Sequence, residues 1–172
     1  MGQDELENTI AQSLMAIGLY TISFEATALS FRAKVHEYLT ETDRSQLSRF
    51  KKACGTAYNT FDFCGPILLA NSVIGQADLE SLTAMRERRN LFAHQGHNRV
   101  FDLEVQEVLP DVKQLHKITQ KVQGWRIPVR ELRLAPRTVE FSISPAFFGF
   151  VAQIVEQMSY GRIDVRLKRN KD

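Results

Sequence analysis

Ile10, Leu14, Ile17, Thr21, Phe24, Ala28, Phe31, Val35 and Tyr38 follow one another at alternating steps of four and three. That spacing lines one face of an α-helix and forms a seam for another helix. Leu47, Phe50, Cys54, Ala57 and Phe61 repeat the rhythm, and Gly65-Pro66 is expected to stop or restart that second helix. A short apolar segment, residues 67–74, ends at Gly75, and Asp78 is placed to cap the helix that follows, which is expected to fray or turn at Gly96. Asp102 stands before Val105, Val108, Val112, Leu115, Ile118 and Val122, with Pro110 as a kink or boundary and Gly124 as a stop. An irregular basic linker holds Arg126, Arg130, Arg133 and Arg137; residues 138–143 then alternate as a short strand or extended arm would. Ser144-Pro145 is a helix start, and Phe147, Val151, Ile154 and Met158 line one face of the last helix. The pattern predicts an all-α bundle of about five helices with a short extended segment before the last.

A length of 172 residues fits one domain with a real core. We place it at residues 1–161, with a basic tail at 162–172. Hydrophobic residues at 44% and charged residues at 24% are those of an ordinary globular protein. The formal charge of +2 does not by itself mark a nucleic-acid binder, so any such surface has to be local. Cys54 and Cys64 lack the paired spacing of a zinc site and read as reduced thiols of a cytoplasmic protein. The amino end lacks the pattern of a signal peptide, Leu6 stands where a myristoylation signal needs Ser or Thr, and no uninterrupted apolar run is long enough to span a bilayer. No membrane association is expected. Glycine-rich phosphate loops, a nucleophile elbow and metal-ligand clusters are absent from the sequence, so no metal or cofactor is expected.

Candidate chemistry is concentrated in Met85-Arg86-Glu87-Arg88-Arg89-Asn90-Leu91-Phe92-Ala93-His94. On a helix turning about 100° per residue, Leu82, Met85, Arg89, Phe92 and Ala93 share a face that Asn90, His94 and His97 flank. Arg89 therefore interrupts an apolar stripe, and a charge in that position needs a partner. Glu25, between Ile22 and Leu29 beside the long seam, is the best partner the sequence offers. An internal salt bridge would account for Arg89 without any activity. The functional alternative is a phosphate-binding guanidinium beside a histidine, the side chain whose ordinary pKa lies nearest neutrality. His97 is a second titrating group nearby, whereas His36 and His116 occupy surface-like positions and receive no role.

The string Arg89-Asn90-Leu91-Phe92-Ala93-His94 resembles the signature of the HEPN superfamily, in which Arg is followed after four to six residues by His and the residue after Arg is often Asn. The resemblance implies a small helical bundle that dimerises. It also implies a metal-independent endoribonuclease of toxin or defence type, whose site combines the motifs of two protomers. On that reading His94 is the general acid or base, Arg89 stabilises the phosphate, and Asn90 orients His94 or binds a phosphate oxygen. Glu25 and His97 are supporting residues, and RNA is held by Arg86, Arg88 and the tail residues Arg166, Lys168 and Arg169. One HEPN subgroup carries Tyr two residues after the His; here that position is Gly96, so control by that subgroup's antitoxins is not inferred. The layout Gly75, Asp78, Leu82, Arg-Asn-x-Phe-Ala-His and Phe101-Asp102 also looks like the mannitol operon repressor family. That likeness implies a non-catalytic regulator acting through a protein partner.

Overall fold

The computed structural model describes residues 3–55, 57–99, 103, 105–127 and 145–159. Among them are six α-helices and no strand: α1 (Gln3–Thr42), α2 (Leu47–Ala53), α3 (Ala57–Ala70), α4 (Gln76–Arg99), α5 (Leu109–Gln123) and α6 (Pro145–Ser159). Single 3-10 turns at Arg44–Gln46 and Val105–Glu107 precede α2 and α5. The expected all-α architecture holds. α5 opens at Leu109 with Val108 as its N-cap, so Asp102, which stands before Val105 in the sequence, does not cap it; the extended segment expected at 138–143 and the tail lie outside the described residues.

α1 is the axis of the bundle. Tyr20, Phe24, Thr27, Phe31 and Val35 on it are at most 1% exposed, packed by α3, α4, α5 and α6. By length and composition alone its residues Glu5–Thr42 could cross a membrane, a test that the core helix of a bundle also passes. Of that apolar window 44% is buried in the bundle. The seam itself is also rotated in the amino-terminal half, where Ser13, Ala16 and Tyr20 face inward while Leu14 is 54% exposed. Small residues there allow close approach, and the Ser13 hydroxyl donates to the Leu103 carbonyl across the contact. α5 runs parallel to α1, since Tyr20 meets Asp111, Thr27 meets Thr119 and Ser30 meets Gln123 in order.

The second helix breaks at Cys54-Gly55 and not at Gly65-Pro66, which lies inside α3. Proline disfavours a helical residue before it through a clash with that residue's Cβ. Gly65 has none, and its bare face admits Leu79, whose Cδ2 would stand 2.6 Å from an added Cβ. α3 instead ends in a Schellman turn: the Val73 N–H reaches the Leu68 carbonyl and the Ser72 N–H the Leu69 carbonyl. Ser72 takes the left-handed φ of 56° that glycine usually fills there.

α4 begins at Gln76, so Asp78 is the third helical residue and not the cap. Its carboxylate reaches back to accept from the Gly75 N–H at 2.9 Å, half of a capping box. Asp78 is 4% exposed and also accepts from Lys121 at 2.7 Å and Gln114 at 3.3 Å, which ties α4 to α5. α4 continues through Gly96 to Arg99, past the point where the sequence suggested an end. Pro110 and Gly124 do bound α5, and Pro145 starts α6, as the sequence indicates.

Candidate functional site

α3 and α4 form an antiparallel hairpin, in which Gly65 lies against Leu79 and Asp62 pairs with Arg86 at 2.9 Å. Because α3 starts at Ala57, this register carries the last turns of α4 beyond it. α4 runs antiparallel to α5, since Asp78 meets Lys121 and Arg88 meets Asp111, and hence antiparallel to α1, which it touches at Tyr20–Met85 and Glu25–Arg89. The motif thus occupies the half of α4 that extends past α3, against the middle of α1 and the start of α5.

Three arginines of that helix diverge toward three neighbours. Arg86 bonds both oxygens of Asp62 on α3. Arg88 bonds Asp111 on α5 at 3.0 Å and the Glu107 carbonyl at 2.9 Å. Arg89 bonds Glu25 on α1 at 2.8 Å. The sequence singled out Glu25 for Arg89, because both interrupt apolar stripes; it gave no signal for Asp62 or Asp111. Arg86 and Arg88, expected to hold RNA, each carry a carboxylate partner, which reduces the charge they present. Arg166, Lys168 and Arg169 lie outside the described residues.

Arg89 remains 31% exposed and Glu25 36%, so the pair lies at the rim of the core and not inside it. Among the described residues, the Arg89 Nε is buried without a hydrogen-bond partner. His94 is exposed and Asn90 half-buried. His97 belongs to α4 by its backbone; its side chain lies outside the described residues. Five residues turn a helix through about 140°, so Arg89 and His94 of one chain do not aim at a common point.

Phe92 belongs to the core, 5% exposed and edge-on to Tyr20 with ring centres 5.3 Å apart; it is not available to a dimer face. The Tyr20 hydroxyl reaches the Met85 carbonyl at 2.9 Å, one turn before Arg89, and lies 3.3 Å from Asp111. It has one proton for the two acceptors, and the shorter bond goes to Met85. Burial, with the Asp111 charge second, raises the Tyr20 phenol far above its ordinary range. Burial also raises Asp111, and the Arg88 guanidinium works against that rise. Tyr20, Arg88 and Asp111 therefore form a partly buried clamp that fixes the turn carrying Arg89. His36, expected at the surface, is half-buried with its ring 5.6 Å from that of Phe50, and His116 is half-buried on α5.

Beside the motif, α1 presents Leu14, Gly18, Ile22, Glu25 and Leu29 along one outer face. Leu14, Ile22 and Leu29 are 54%, 52% and 49% exposed, and a Cβ added at Gly18 or at Gly96 of α4 would meet nothing within 4 Å. A separate cleft of about 230 Å³ between α3 and α4 is lined by Phe61, Pro66, Leu79, Leu82 and Thr83 with the Asp62–Arg86 pair, and no motif residue enters it. Among the described residues no group of three or more His, Cys, Asp or Glu is arranged to hold a metal ion. Compared with protein-family models, with curated proteins and with solved structures, the chain finds no match.

Proposed function

We propose that the chain is a metal-independent endoribonuclease of HEPN type, acting as a homodimer in a toxin or defence setting. The observation that carries this reading is the placement of a partly exposed Arg89 and an exposed His94 on the half of α4 that extends past α3, beside a face of α1 whose Leu14, Ile22 and Leu29 are about half exposed among the described residues. Since the two side chains diverge within one chain, a two-fold contact through Leu14, Ile22 and the end of α4 is the arrangement that supplies convergent groups. A symmetric contact uses the same patch twice.

In the reaction, a ribose 2′-hydroxyl attacks the adjacent phosphorus, forming a cyclic phosphate and breaking the bond to the next nucleoside's 5′ oxygen. The nucleophile belongs to the substrate, so the step needs proton transfer and charge stabilisation. One His94 takes the proton from the 2′-hydroxyl, and the partner's His94 returns one to the departing oxygen. Arg89 holds the phosphate oxygens with donors turned away from Glu25, and Asn90 contributes a neutral donor.

The test is cleavage of RNA by the purified protein in excess chelator, with His94→Ala alongside. The proposal requires products with cyclic phosphate ends and a fall of about 10²-fold or more in the variant. A folded wild-type dimer that cleaves no RNA would remove it.

The Arg89–Glu25 pair favours a second reading, a non-catalytic regulator of the mannitol operon repressor kind. There the pair is a structural tie, and the α1 face receives a regulatory protein partner. Failure of cleavage together with one-to-one capture of a defined partner, lost in Ile22→Glu, selects it.

A further inference from the structure

Cys54 and Cys64 come from different helices, yet their Sγ atoms stand 3.6 Å apart in van der Waals contact. Cys64 lies inside α3 and is fully buried, and Cys54 caps α2 and is 2% exposed. Their backbone settings differ. Cys64 is held within the continuous helix that packs on α1, whereas the backbone at Cys54 has left helical geometry, with ψ at 25°, and is tied to α2 by the bond from its N–H to the Phe50 carbonyl. Gly55 follows, exposed, with only the Lys52 carbonyl within 4.0 Å of where a Cβ would stand. A disulfide needs the sulfurs to approach to about 2.05 Å. Rotation of Cys54 with a small shift of the α2 end would close that distance.

We propose that Cys54 and Cys64 form a reversible intramolecular disulfide that staples the end of α2 to the middle of α3. The oxidant is a low-molecular-weight disulfide such as oxidised glutathione. Cys54 gives up its proton to solvent, and its thiolate attacks one sulfur of the oxidant, breaking that S–S bond and expelling one glutathione thiolate. Cys64, deprotonated in turn, attacks the Cys54 Sγ, forming the Cys54–Cys64 bond and releasing the second. Two electrons pass from the protein thiols to the oxidant, and two protons pass through solvent to the departing thiolates. Burial raises both thiols above the ordinary cysteine range, with the Arg32 charge opposing it, so the exchange proceeds slowly from the closed protein. Exchange is faster whenever the α2 end opens.

The staple joins α2 to α3, outside the Arg89–His94 motif on α4, and does not depend on the nuclease reading. Purified full-length protein is incubated in glutathione buffer of increasing oxidised fraction, and free thiols, intact mass and thermal midpoint are followed together. The expected result is loss of both thiols in one step, a mass lower by two hydrogens with no glutathione retained, and reversal by reductant. Closing so short a loop should raise the midpoint by about 5–10 °C. Cys64→Ser should keep its single thiol or carry it as a mixed disulfide, without that rise. Retention of both thiols in the folded protein while the urea-unfolded chain oxidises overturns the proposal. So does accumulation of glutathione adducts or linked dimers on wild type, a midpoint that falls on closure, or the same rise in Cys64→Ser.

Discussion

At the scale of single residues, Arg89 is the position where sequence and structure meet most closely. A charged residue on an apolar stripe demanded a partner, and Glu25 supplies it at 2.8 Å. Both groups are about a third exposed, so solvent screens the pair and its contribution is small, about 0.2–1 kcal/mol. Arg89→Ala and Glu25→Ala should therefore each lower stability by less than about 1 kcal/mol in urea unfolding, with a double-mutant coupling in the same range. A loss of several kcal/mol in either single variant would instead identify a buried structural pair, and the phosphate-binding role would go with it. Arg88 reads in the sequence like Arg89 and Arg86, as one of three basic residues in a row of turns. Its engagement with Asp111 and the Glu107 carbonyl was not legible, because both lie at the start of α5, whose direction against α4 the sequence leaves open.

At the scale of elements, helix α4 is fastened at its start and free at its end. Asp78 carries the fastening, through the Gly75 N–H and through Lys121 and Gln114 of α5. Burial alone would raise its pKa, but the Lys121 ammonium and the backbone donor outweigh burial and leave it below the usual carboxylate range. A carboxylate depressed by folding adds stability that is present above its unfolded pKa and is lost as pH falls through the folded value. Asp111, raised by burial, runs the other way, its share being present in acid and lost as pH rises through its folded value. Stability should therefore fall below about pH 4 in wild type. Asp78→Asn, which keeps the shape and loses the charge, should flatten that acid arm and cost about 1–3 kcal/mol at neutral pH. Unfolding midpoints measured from pH 3 to pH 7 decide this, and an unchanged acid arm would move the effect to other carboxylates. Helix identities were legible from periodicity, while several boundaries were not. Gly65-Pro66 reads as a break, yet the missing Cβ of Gly65 removes the clash that usually makes it one and creates the seat for Leu79. Gly96 reads as an end, yet α4 continues through it to Arg99.

At the scale of the whole molecule, the outer face of α1 beside the motif is apolar and uncovered, and the proposed composite site depends on what covers it. Ile22 and Leu14 are about half exposed, so Ile22→Glu or Leu14→Glu should leave the fold intact. Wild type should sediment as a dimer and these variants as monomers, with RNA cleavage lost in parallel. A wild-type monomer at micromolar concentration would sink the composite site. The sequence by itself determined the all-α class, most of the helices, the Arg89–His94 motif and the acidic partner beside it, because these rest on local periodicity and on the cost of leaving a charge unpaired. Only the tertiary structure decided which face of α1 is core. Large apolar residues line both sides of that helix, and the small Ser13 and Ala16 win the inside since they permit close packing, leaving Leu14 and Ile22 outside. It also decided that two cysteines ten residues apart touch, and that Tyr20 clamps the turn before Arg89, since contacts between distant segments follow from how helices dock and not from the order of residues.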